Sequence, residues 1–224
     1  RVRSSAASDV YKRQGEDKGY VGTFLKQLQD VASTCKDKNI KIVTNAGGLN
    51  PQSMTNEIRQ ILNELNIDMK VAYIEGDNLM SRIEELQKNG EEFTNIDKEI
   101  SLKDSGFPVL TANAYLGAWG IKEALDKGAD IVVCPRVTDA AVVMGPAAWR
   151  FNWERDDFDK LAGALAAGHI IECGCQATGG NYAFFEEVPS FENVGFPIAE
   201  IQSDGSFFIT KHPGTGGLVS VGTV

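Results

Sequence analysis

IKIVTNAGGLNP, residues 40–51, is a β-prone apolar run, Ile40 to Thr44, that empties into the loop Asn45-Ala46-Gly47-Gly48-Leu49-Asn50. A helix start follows at once, with Asn50 in the N-cap position and Pro51 at the first helical position. Three further stretches repeat the grammar: Met69 to Ile74 before Glu75-Gly76-Asp77, Val109 to Ala112 before Asn113-Ala114-Tyr115, and Ile131 to Cys134 before Pro135-Arg136-Val137-Thr138-Asp139. Strands that feed helices in this way form a parallel sheet, and the ligands of such sheets sit outside the carboxyl ends of the strands. The expected fold class is therefore α/β, a mainly parallel sheet flanked by helices, with the polar loops gathered at one rim.

Helical periodicity fills the intervals. Phe24, Leu25, Leu28, Val31 and Ala32 form one stripe between Tyr20 and about Cys35, and Ile58, Ile61, Leu62 and Leu65 form another after Pro51. A helix is expected from about Asn78 to Lys88. Another follows Tyr115, turns Trp119, Ile121, Ala124 and Leu125 inward and stops at Lys127-Gly128. A short apolar helix runs from Asp139 to Trp149, and a further one from Asp157 to Ala167 is closed by Gly168. Residues 91–108 turn polar and read as a surface excursion. Phe196 to Ile209 alternates around Asp204-Gly205, a type I′ hairpin signal, so a β-rich extension is expected over about residues 182–224.

The chain has 224 residues, 42% of them hydrophobic, enough to bury a sizeable core. A formal net charge of -9, a pI near 4.8 and the lack of any Lys/Arg run argue against nucleic acid or anionic membrane as partners. No stretch has the length of a transmembrane helix and none reads as a secretory signal. Cys35, Cys134, Cys173 and Cys175 are too few and too irregular for a disulfide framework, so a reduced, cytoplasmic setting is expected. Ser5 to Gln14 has no apolar period and resembles the translation of a transposase mosaic-end sequencing adapter, so residues 1–14 are read as non-native. The apolar run Leu218 to Val224 has no terminating signal. Residues 15–224 are accordingly expected to be part of a longer α/β domain.

Five groups of residues could carry chemistry. The Asn45–Pro51 loop offers Asn45, Gly47, Gly48 and Asn50 with free amides at a helix N-terminus, which suits a phosphate or carboxylate; a tight strand-to-helix turn accounts for it equally well. Glu75, Asp77, Asp139 and Glu172 would bring carboxylates to one rim for acid-base work or Mg²⁺ binding, but for Asp77 and Asp139, each just ahead of an apolar helical run, a helix cap is the favoured reading. Arg136, in one loop with Thr138 and with the Asn113 loop expected at the same rim, could hold an anion bidentately or pair with a neighbouring acid. Glu172 to Asn181 is dense in small and polar residues, with Thr178, Gly179, Gly180 and Asn181 suited to packing close against a ligand. Its Cys-Gly-Cys is weak as a zinc site, no metal-ligand set is evident and no cofactor can be named. Lys211-His212-Pro213-Gly214-Thr215 closes the series. His212 is the better candidate for proton transfer, with Lys211 and Thr215 beside it, and His169 reads as a dipole partner at a helix end.

Taken together, TNAGGLNP, EGD, LTANAYLGAWGI, RVTDAAVVMGPAAW, LAGALAAGHIIECGCQATGGN, GFPIAEI and KHPGTGG, in this order from about Asp17 to Val224, resemble the N-terminal domain of the acyclic terpene utilisation A family. The resemblance implies a bacterial cytoplasmic protein in the breakdown of citronellol and geraniol through acyl-CoA intermediates, alongside a biotin-dependent geranyl-CoA carboxylase. It also implies a step at the branched hydroxyacyl-CoA stage, such as a lyase. Family members begin with a further strand and glycine-containing loop, where this chain has its adapter-like segment. The expectation is an enzyme domain whose ligand is an acyl-CoA or branched acid, with Asn45, Gly47, Gly48 and Arg136 holding anionic groups and Asp139, Glu172 and His212 moving protons. A non-catalytic binding or scaffold subunit of the same pathway is the rival reading. Either form is compatible with a homo-oligomer.

Overall fold

The computed structural model describes residues 18–224, so the expectation for residues 1–14 lies outside the described residues. In chain order the elements are α1 (Thr23–Asp37), β1 (Ile42–Thr44), α2 (Pro51–Glu64), β2 (Val71–Tyr73), α3 (Ile83–Lys88), α4 (Leu102–Ser105), α5 (Trp119–Asp126), β3 (Ile131–Val133), α6 (Ala141–Phe151), α7 (Phe158–Glu172), β4 (Pro197–Ile201) and β5 (Phe207–Lys211). The first three strands form a parallel sheet in the order β1-β3-β2, and β4 and β5 form a separate antiparallel pair. The fold is mixed α/β.

The central strand explains the core. Successive side chains of a strand point to opposite faces, and along β3 all of them are buried. Ile131 and Val133 join one cluster with Leu28 of α1 and Met54, Ile58 and Leu62 of α2. Val132 and Cys134 join another with Ile121 and Leu125 of α5 and Ala141 of α6. A third cluster centres on Trp153 with Ala147, Ala148 and Ala164, and Ile201 of β4 packs against it.

One carboxylate ties the amino ends of the three strands. Asp130, just before β3, accepts from Lys41 Nζ at 2.7 Å ahead of β1 and from the Lys70 amide at 2.8 Å ahead of β2. Burial works to raise its pKa, but these two donors and the charges of Lys41 and Lys36 outweigh it and hold the carboxyl below its ordinary value.

Four expectations change. Val109 to Ala112 is not a strand: Leu110 is 68% exposed, so the run has no buried face, and Pro108 ahead of it has no amide to donate. The segment instead clips the loops beyond β2 and β3, through Leu79 N to Ala112 O (2.8 Å), Ala114 N to Asp77 O (2.7 Å) and Leu116 N to Arg136 O (3.0 Å). Gly168 does not end its helix, because α7 runs on to Glu172. The glycine is there for contact, since a Cβ at this position would stand 2.9 Å from Ala140 Cα. The hairpin turn is not type I′: only Gly205 has positive φ, and Gln202 bonds Ser206 across a three-residue connection with a type I turn and a left-handed glycine. The helix expected from about Asn78 forms only from Ile83, after a single 3-10 turn at Met80–Arg82, because Asn78 pairs with Asn113; the other expected helices form, Asn50 accepting from the Ser53 amide at 3.1 Å as the cap of α2.

The hairpin lies along α7. Its turn seats on Gly163, where a Cβ would meet the Gly205 carbonyl oxygen, and the Trp153 indole donates to Ser203 O at 3.0 Å. Gly163→Ala therefore forces the turn off the helix and is expected to cost about 1–3 kcal/mol, read as a lowered denaturant midpoint with the parallel sheet retained. Asp130→Asn is expected to destabilise by about 1–3 kcal/mol near neutral pH. Because the folded carboxyl titrates below its unfolded value, its contribution is complete above the unfolded pKa and is lost as pH falls through the folded one. The stability gap between wild type and Asp130→Asn should therefore narrow below about pH 4. A gap that stays constant down to pH 2 on acid unfolding curves contradicts this role.

Candidate functional site

The carboxyl ends of β1 and β3 are built by close approach. Cys134 N donates to Thr44 O at 2.7 Å, extending the pairing one step past the strands. Gly47 then passes so near β3 that a Cβ would stand 2.5 Å from Cys134 O and 2.9 Å from Val133 Cγ1. The loop is thereby pressed onto the sheet while Asn45 stays at its surface. A cleft of about 560 Å³ opens beside it. Val43, Thr44 and Asn45 supply one wall, Asp139, Val142 and Val143 at the start of α6 a second, and Ile171, Glu172 and Cys173 at the end of α7 a third, with Phe196 ahead of β4 closing the rim.

Asn45, Asp139 and Glu172 thus share one cleft. The start of α6 explains why Asp139 is available there: the helix is capped by Ala140 with no side-chain bond, so the aspartate is not engaged as a cap. The Cys173 thiol of the same cleft lies 3.7 Å from Glu172 Oε2. Burial raises its pKa first, then the charge of Glu172, the hydrogen bond to Glu172 and the charge of Asp139. The thiol is held protonated, the opposite of what a cysteine nucleophile requires. Cys134, buried beneath the loop, is pushed up to about 12 by burial alone. The cleft combines apolar walls, two acids and the two amides Asn45 and Gln176.

A second group forms around Asp77. Its buried carboxylate accepts from Asn113 Nδ2 at 2.7 Å and from the Arg136 amide at 3.4 Å, so it ties three loops together and caps no helix. The Arg136 guanidinium lies 4.9 Å from the Tyr115 ring centroid and donates to the Tyr115 hydroxyl. No ion pair among the described residues includes it. Thr138 serves the turn into α6 through its main chain, bonding Leu116 O and the Ala141 amide. Glu75 stands apart, exposed at the end of the β2 edge.

The other candidates hold the fold together or line different surfaces. Thr178 is fully buried, with its hydroxyl donated to Gly195 O, and Gly179 and Gly180 pack against Val188 and Cys175 O. Asn181 is exposed and lines a neighbouring cleft of about 540 Å³ with His169 and Tyr182. Lys211 Nζ donates to Thr215 O at 2.7 Å and the Thr215 hydroxyl to His212 O at 2.6 Å, closing a local clasp. The His212 ring is exposed and does not line the cleft of Asp139. His169 occupies the last turn of α7, where a positive charge is favoured. Gly48, with φ 55°, and Asn50 shape the turn into α2.

Sequence reasoning missed Val142, Phe196 and Tyr115 as site residues. The signals were present: an apolar residue one helical turn from Asp139, an aromatic heading the hairpin, and an aromatic in a polar loop. Among the described residues no group of three or more His, Cys, Asp or Glu converges as a metal set, and no helix is long and apolar enough to cross a membrane.

Against known proteins, no curated sequence and no solved structure matches. One family does, described as acyclic terpene utilisation family protein AtuA, over residues 3–224. That match spans the loops after β1, β2 and β3, both acids of the cleft and the closing hairpin, and by it the chain belongs to the acyclic terpene utilisation family.

Proposed function

We propose that this chain is an enzyme domain of acyclic terpene breakdown, acting in a cytoplasmic setting on a branched terpenoid acyl-CoA intermediate such as those of citronellol and geraniol, at a hydroxyacyl-CoA lyase step. The observation that carries the reading is the shared cleft of Asn45, Asp139 and Glu172, whose other walls are mainly the apolar Val43, Val142, Val143, Ile171 and Phe196, with Thr44, Cys173 and Gln176 among them. Such walls suit a branched hydrocarbon, since apolar area contributes about 25 cal/mol per Å² removed from water. Two acids in one cleft suit a reaction that removes a proton at one atom and returns it at another.

The acidic field also restricts which end of a ligand enters. Two carboxylates beside the carboxyl end of α7, where the helix dipole is negative, repel a phosphate or free carboxylate. A neutral thioester carbonyl or hydroxyl meets no such repulsion, and the Asn45 amide can donate to its oxygen. The anionic end of a coenzyme thioester is then left to Arg136, whose guanidinium is held by an aromatic ring rather than by an acid. In the lyase reading one acid takes the hydroxyl proton as the carbon-carbon bond breaks. That proton passes to the other acid and from it to the carbon of the departing enolate, so both acids begin and end the reaction as carboxylates.

The test is incubation of the protein with a panel of terpenoid acyl-CoA thioesters, followed by mass spectrometry. Asp139→Asn and Glu172→Gln should each lower kcat by about 10²- to 10⁴-fold, with ligand binding retained. A binding or scaffold subunit has no turnover to lose, so measurable binding without any product from the whole panel refutes the catalytic reading. His212→Ala separates a proton carrier outside the cleft from the acid pair: if the pair suffices, turnover stays near that of wild type. Cys173 reports the same field independently. Glu172→Gln should speed its alkylation by iodoacetamide at pH 8, because removing the neighbouring charge lowers the thiol pKa.

A further inference from the structure

Among the described residues strand β2 lies at the margin of the parallel sheet and pairs with β3 alone. In the register Val71 to Ile131, the main-chain groups of Lys70, Ala72 and Ile74 face β3, as Ile131 N to Lys70 O (3.0 Å) and Ile74 N to Val133 O (2.9 Å) show. Val71, Tyr73 and Glu75 therefore turn their N–H and C=O groups outward. Alongside runs a groove of about 480 Å³ between this margin and α5, lined on the helix side by the small residues Gly120 and Ala124. An unpaired margin with an apolar groove beside it is a template for another strand.

The charges on this margin identify the strand that fits. Arg59 of α2 reaches its beginning and donates to Val71 O at 2.9 Å, whereas Glu75 is exposed at its end. Neither takes part in an ion pair among the described residues. A strand carrying the same pair in the opposite direction completes both.

We propose that a second copy of this chain docks here, antiparallel and centred on Tyr73, so that two parallel sheets join across a two-fold axis into one. In that register each Tyr73 exchanges both main-chain bonds with the partner's Tyr73, and Val71 exchanges them with the partner's Glu75. The Val71 carbonyl has a second lone pair and keeps its bond to Arg59. The carboxylate of the partner's Glu75 then lies beside that guanidinium, twice over by symmetry. The partner's Ile74 comes opposite Ala72, large against small, on the side of the groove. Parallel docking would set like charges together at both ends.

Sedimentation velocity on the full chain, from about 1 to 100 µM, is expected to show a concentration-dependent dimer. Tyr73→Pro deletes an outward N–H while sparing every bond to β3, and Glu75→Arg sets like charges face to face. Each should weaken the dimer by at least about tenfold, and Arg59→Glu combined with Glu75→Arg should restore it. Thermal melting of each variant separates misfolding from lost association. Since Glu75 is exposed, Glu75→Arg decides the matter if Tyr73→Pro does not fold. A chain that stays monomeric at about 100 µM overturns the proposal and leaves the groove to another occupant. A dimer indifferent to Glu75→Arg overturns it as well.

Discussion

A single carboxylate, Asp130, sets the registration of the parallel sheet. The sheet's strands are only three residues each, too short for their own ladders to fix where each begins. Holding Lys41 and the Lys70 amide on the two oxygens of one side chain aligns β1 and β2 against β3 from below. Since each strand is aligned at its start, the loops at the other end emerge at a common level. The closeness of Asn45, Arg136 and the Asp77 loop to one rim follows from this alignment, together with the passage of Gly47 over the end of β3.

Above that level the loops divide into two chemically distinct parts. Beside β1 lie acids and hydrocarbon, and burial together with the charge of those acids keeps the Cys173 thiol protonated. Beyond β3 lies a guanidinium on a tyrosine ring, with the nearest buried acid, Asp77, spent on Asn113 and main-chain amides. The ligand we propose, with a neutral branched end and an anionic end, would span the division. The membership in acyclic terpene utilisation gives that proposal its context.

The fold was legible in the sequence wherever burial and local chemistry agreed. Ile131 to Val133, flanked by a glycine-ended helix and a polar loop, could only be a buried strand, and Asn50-Pro51 announced the start of α2. It was not legible where an apolar run found no face to bury, as at Val109 to Ala112, or where a glycine answered to a neighbour rather than to the local backbone. Gly168 is the clearest instance: its signal as a helix stop is local, whereas its role is to admit Ala140 from another helix. The site divides in the same way. The position of Asp139 at the start of α6 was readable from the helix boundary, whereas that of Glu172 at the end of α7 was not, because Gly168 reads locally as the stop of that helix. That Phe196 would face them depended on how the hairpin lies on α7, which no local pattern encodes.

That hairpin has a mechanical consequence. Its turn is seated on Gly163 near the beginning of α7, and its open end brings the Phe196 ring to 3.0 Å from where a Cβ on Gly174 would stand, just beyond the end of the same helix. Hairpin and helix are thus fastened at both extremities, like a strut along a beam. The aromatic edge of the cleft draws its rigidity from a contact far outside the cleft, and any load on the distal turn is transmitted to the mouth of the site.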